Sequence, residues 1–144
     1  MTSYTMSASV AAPYDETVAQ VRERLAEQGF GVLTEIDVRA TMKTKLDVDV
    51  APQVILGACR PQLAHQAMTA VPSIAALLPC NVVVREVGEG RTLVEAVDPD
   101  SMVVLAGSEA QDDVAADAIR DVAREAKERL TAALAALTPR SEEN

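Results

Sequence analysis

The sequence predicts an α+β fold: an antiparallel sheet with helices packed on one face, in the order strand, helix, four strands carrying a helical insertion, and a final helix. Three observations lead there. Alternating apolar and polar stretches follow one another through the middle of the chain instead of alternating strictly with helices. The two clearest helical periodicities lie near its ends. Proline and glycine separate the segments between them.

Thr5 to Ala11 reads as the first strand, with Met6, Ala8 and Val10 alternating against Thr5, Ser7 and Ser9. Pro13 ends it and opens a helix whose first turn carries Asp15 and Glu16, where the helix dipole favours negative charge. Val18, Val21 and Leu25 form its apolar stripe, and Gly29 suits a C-terminal cap. Phe30 to Asp37 reads as a second strand, with Val32 and Ile36 on one face and Glu35 and Asp37 on the other. Val38, Met42 and Leu46 repeat every four residues and predict a short helix, with Lys43 and Lys45 away from its stripe.

Pro52 precedes the near-continuously apolar run Val54 to Cys59, a largely buried strand. Pro61 begins a helix extending to about Ala70, followed by irregular turns from Ser73 to Leu78. Asn81 to Val87 and Thr92 to Asp98 form a hairpin across Gly88-Glu89-Gly90. Asp98-Pro99-Asp100 is a turn, and Met102 to Leu105 either extends the sheet or packs as a short turn. Asp112 and Asp113 start the longest helix, which runs to about Leu137 and buries Ile119, Val122, Ala126, Leu130, Ala133 and Leu137. On it, Glu125 and Arg129 are spaced to pair, and Thr138 to Asn144 reads as a polar tail.

At 144 residues the chain forms one domain with a core of its own. With aromatics at 2%, that core is built from aliphatic residues and provides no stacking platform for bases or flat cofactors. A net charge of −9 disfavours nucleic acid and anionic membranes. No apolar run approaches the roughly 18–20 residues that span a bilayer, and Met1 to Val10 lacks the pattern of a secretory signal. Two cysteines suit a reducing compartment, so the expected location is cytoplasmic.

Both cysteines sit beside prolines in two distinctive blocks, Val54 to Pro61 (VILGACRP) and Leu77 to Glu86 (LLPCNVVVRE). With Gln28 to Val32 (QGFGV) and Ala96 to Pro99 (AVDP) as weaker landmarks, these blocks resemble the bacterial and archaeal family catalogued as domain of unknown function 302, over roughly residues 5 to 137. The resemblance implies a sheet related in outline to the TATA-binding-protein type, and a homodimer. It implies no DNA binding, because function belongs to sites and not to folds. Arg60 departs from the asparagine common at that position in the family, and places a charged fork there that suits an anion or a carboxylate.

The candidate ligand-binding residues are therefore Cys59, Arg60, Cys80 and Asn81. If the two cysteine strands are antiparallel neighbours about 4.8 Å apart, the thiols come within reach of one another. Joined by His65, Cys59 and Cys80 would make a thiolate–imidazole set for a soft metal. Packing is the default for such residues, since free cysteine behaves as a small hydrophobe, and Cys80 shares strand parity with Val82 and Val84. Exposure of Cys59 beside Arg60 and a helix N-terminus would lower its pKa, whereas burial would raise it.

Other motifs carry less. Asp47-Val48-Asp49 lacks the third acidic position and the glycine of a calcium loop. Gly88-Glu89-Gly90 has no following helix to cradle a phosphate, and Ser7 and Ser9 have no nucleophile elbow. The expected function is a non-catalytic binding or regulatory module that meets a soft metal ion or reactive sulfur species at Cys59 and Cys80. One alternative is a thiol enzyme with Cys59 as nucleophile or redox centre. Another is an interaction homodimer with packed cysteines. The sequence assigns no cofactor.

Overall fold

The computed structural model describes residues 4–139. β1 (Thr5–Val10) leads into α1 (Tyr14–Glu27), whose N-cap Pro13 holds φ at −62° and accepts a hydrogen bond from Thr17 Oγ1 at 2.9 Å. α1 stops where the sequence places its cap. Gly29 adopts φ +84°, its N–H donates to the Ala26 carbonyl, and the Phe30 N–H donates to the Leu25 carbonyl, both at 3.0 Å. This pairing satisfies two carbonyls that a helix end would otherwise leave open, and puts Phe30 and Leu25 together in the core.

β2 (Gly31–Asp37), α2 (Val38–Leu46), β3 (Gln53–Cys59) and α3 (Pro61–Ala70) follow, then a 3-10 turn over Pro72–Leu77. The hairpin of β4 (Cys80–Gly88) and β5 (Arg91–Val97) turns at Gly90, with φ +67°. Residues Met102 to Leu105 do not extend the sheet. They lie in α4 (Asp100–Ala106), because Met102 and Ala106, one turn apart, are both buried, while Asp98 Oδ1 accepts from the Asp100 N–H at the helix start. A 3-10 turn at Gly107–Glu109 precedes α5 (Asp113–Ala135), where the Asp112 side chain accepts from the Ala115 N–H at 2.8 Å as an N-cap.

The five strands form one sheet in the order β1-β5-β4-β3-β2, antiparallel at every neighbour. Leu56, Val82 and Ala96 stand in one cross-strand row, and Val54, Val84 and Val94 in the next. These six residues are buried together with Val21 and Leu25 of α1 and Leu130 and Ala133 of α5. Full burial of an aliphatic side chain of this kind contributes about 1.5–3 kcal/mol. Thr17 and Thr92 share the interior because their hydroxyls donate to the Pro13 and Ala12 carbonyls. A second cluster joins Ala67 of α3, Ile74, Cys80, Met102, Ala106 and Ile119.

β2 departs from simple alternation. Val32 pairs with Ala58, but the next partner of β3, Gly57, pairs with Thr34, so Leu33 is an extra residue. The slip turns Val32 toward the helices and Ile36, opposite Ile55, toward the other face. Glu35 comes to the helix side, where it pairs with Arg22 of α1. The expected grouping of Val32 with Ile36 is thus reversed by one bulge. Ile36, Ile55, Val83 and Leu93 share the face opposite the one that α1 and α5 cover, and all four are partly or largely accessible.

Candidate functional site

The two signature blocks meet at one end of the sheet. Antiparallel pairing of β3 with β4 sets Ala58 opposite Cys80 and Gly57 opposite Asn81. The condition set for the two cysteine strands, that they be antiparallel neighbours, is met, with the thiols themselves one residue out of step. Cys80 shares the helix-facing side with Ala58, Val82 and Val84, as its parity indicates, and is 8% exposed. Cys59 follows Ala58 at the strand end, pairs across β2 with Gly31, and is half-buried. Both thiols are free.

Close approach explains Gly57. A Cβ there would lie 2.8 Å from Pro79 Cγ and clash with Thr34 Oγ1. Only a residue without a side chain lets the Leu78–Pro79 segment and β2 close over β3.

Cys59 and Cys80 line the same cavity of about 30 Å³, with Phe30, Ala58, Leu63, Ile74, Met102 and Ile119 among its walls. Those walls come from the sheet end, α3, the 3-10 turn, α4 and α5, elements dispersed along the whole sequence. Burial raises the pKa of Cys59 above 9.0. Burial, and secondarily the nearby Cys59, push Cys80 up to about 11. Both thiols are thus neutral near pH 7. The thiolate-favouring effect expected of Arg60 and the α3 N-terminus is outweighed by desolvation.

Arg60 lies at the cavity but directs its charge elsewhere. Its Nε donates to Glu125 Oε2 at 3.5 Å and its Nη1 to Gln62 Oε1 at 3.4 Å. Glu125 also accepts from Arg129 Nε at 2.9 Å, and Arg129 Nη1 reaches the Gln28 carbonyl at the end of α1 at 3.2 Å. This chain of contacts ties the ends of α1 and β3 to α5. The sequence reading paired Glu125 with Arg129 and missed its second partner, Arg60.

The other candidates lie apart. Asn81 is exposed, opposite Gly57 on the far side of the strand from Cys80. His65 is exposed on α3, while Leu63 and Ala67 form that helix's buried side. The structure does not bring His65 to the two cysteines. Among the described residues, no group of three or more His, Cys, Asp or Glu side chains is placed to hold a metal ion. Asp47 and Asp49 instead share Lys43, at 2.9 and 3.5 Å.

Fold and site together define a five-stranded antiparallel α+β protein with a thiol-lined apolar cavity where the sheet end meets α3 and α5. The chain belongs to the family described as Domain of unknown function DUF302, whose model matches residues 6–137. A crystal structure of an uncharacterized conserved protein DUF302 from Bacillus stearothermophilus is similar to it, with 28% identity and a TM-score of 0.76. The match covers 93% of this chain and 98% of that one. No curated protein matches the chain. Among the described residues, no helix is long and apolar enough to cross a membrane.

Proposed function

We propose that the protein is a non-catalytic binding module whose ligand occupies the cavity between Cys59 and Cys80. The observation that carries this reading is the combination of an apolar cavity with two thiols that burial keeps protonated. Nucleophilic and redox chemistry need the thiolate, as does coordination of a soft metal, so this environment favours occupancy over reaction. Free cysteines accord with a reducing cytoplasmic setting.

Binding to the folded state raises thermal stability by mass action. A cell extract filtered to small molecules, kept anaerobic and sealed, should raise the melting temperature of the protein, and should leave Ala126→Val, which fills the cavity wall, unchanged. An equal rise in both proteins would place binding elsewhere. A thiol reacting faster than free cysteine at neutral pH would favour the thiol enzyme.

The partner we propose for the open sheet face is a second copy of the chain. Ile36 is 48% exposed there, and Ile55, Val83 and Leu93 are partly accessible beside it. The Arg85–Glu95 ion pair keeps the charges on this face matched in a chain of net charge −9, so two such faces can meet without stacking like charges. Light scattering coupled to size exclusion tests for the dimer.

A further inference from the structure

We infer that the ligand is a small uncharged molecule, apolar or weakly polar, held by shape and dispersion. This inference rests on the proposed binding role of the cavity and adds the class of ligand. Four observations select it.

Size comes first. A cavity of about 30 Å³ has room for a small guest larger than a single water. Lining comes second. Apart from the thiols and Arg60, the residues around the cavity are aliphatic, proline, Met102 or Phe30. A buried water needs two to four polar partners, which neutral thiols supply poorly, and cavities of this kind stay dry and take up apolar guests.

Charge is third. Arg60 is the charged residue at the cavity, and it already faces Glu125 and Gln62. An anion would compete with Glu125, at a cavity in a chain of net charge −9. A cation would lose its hydration shell with no carboxylate among the lining residues. Sulfur is fourth. Cys59, Cys80 and Met102 place three polarisable atoms around a small space, which favours a soft, polarisable guest over a hydrogen-bonding one.

The test uses the intact chain and two probes in sealed tubes. Xenon is uncharged, polarisable and unable to form hydrogen bonds. Hydrogen sulfide is of similar character when neutral, and becomes an anion of nearly the same size as the pH rises past neutrality. Methyl carbon–proton NMR reports on Leu63, Ile74, Met102 and Ile119. The expected result is a saturable xenon shift confined to these methyls and lost in both Ala67→Val and Ala126→Val, each confirmed folded by its remaining methyl spectrum. Hydrogen sulfide should shift the same methyls at pH 6, with the response falling about tenfold or more at pH 8.5 as the neutral fraction falls.

Xenon shifts elsewhere, shifts that survive both filled variants, or equal binding of the sulfide anion would each overturn the inference. If the cell extract stabilises the wild-type chain while both probes leave the methyls unmoved, the ligand class is wrong and the binding role stands. Silence from the extract and both probes overturns both.

Discussion

In the unfolded chain the Cys80 thiol ionises near pH 9, whereas in the folded protein burial holds its proton until about pH 11. The folded state therefore binds more protons between those values. Its stabilising contribution is fully present below pH 9 and is lost as pH rises through 11. A hundredfold difference in acidity corresponds to about 2.7 kcal/mol, a large part of the stability of a domain this size. The perturbation is a change from pH 8 to pH 11.5 in the wild-type chain and in Cys80→Ala, read as urea unfolding free energies.

Cys59, Tyr14 and Lys127 also have raised pKa values, but they titrate in both proteins and largely cancel in the difference. The wild-type advantage over Cys80→Ala should shrink by about 2–3 kcal/mol across this range. A constant gap would show that water reaches the thiol. It would remove the argument that the cavity is apolar and that its thiols are inert at neutral pH.

Gly57→Ala should destabilise the protein by about 1–3 kcal/mol in urea unfolding, through overpacking against Thr34 and Pro79. Adding Thr34→Ala should restore part of that loss, whereas simple additivity would refute the close-approach account. Asp112→Ala should cost about 1 kcal/mol by removing the α5 N-cap, measurable by the same unfolding. Val83→Glu, on the open sheet face, should convert a dimer to a monomer in light scattering with the circular dichroism spectrum unchanged. A dimer that tolerates this charge would move the interface off that face.

Local signals carried most of the fold. Gly29, Pro61 and Asp112 mark helix ends because their backbone and capping preferences act within a few residues, and each stands where its chemistry places it. The helix stripe from Ile119 to Ala133 was legible for the same reason. The β2 bulge was not, since Val32, Thr34 and Ile36 alternate normally and only pairing with β3 reveals that Leu33 is extra.

The site divides likewise. Parity indicated that Cys80 faces the core, whereas the adjacency of the two cysteine strands stood only as a condition until their pairing was seen. The placement of His65 was within reach of sequence, because Leu63 and Ala67 define the buried side of α3 and His65 falls on the opposite side of the helix. The cavity was beyond it. Ile74, Met102 and Ile119 meet only through the tertiary packing of three separate elements.

The extra residue at Leu33 also bears on what the free margin of the sheet can do. β2 is a terminal strand of the sheet, and a flat, regular margin offers its unpaired amides as a template for another chain. Here the irregular backbone breaks the spacing of those amides, and the acidic Glu35 and Asp37 would set like charges beside one another if two copies of this strand paired edge to edge. The device guards against edge-to-edge fibre growth at a strand that also exposes Leu33 and Ile36. Deleting Leu33 would restore regular alternation from Val32 to Thr34 while leaving Glu35 and Asp37 opposite Leu56 and Val54, and the straighter margin would be a better template for another strand.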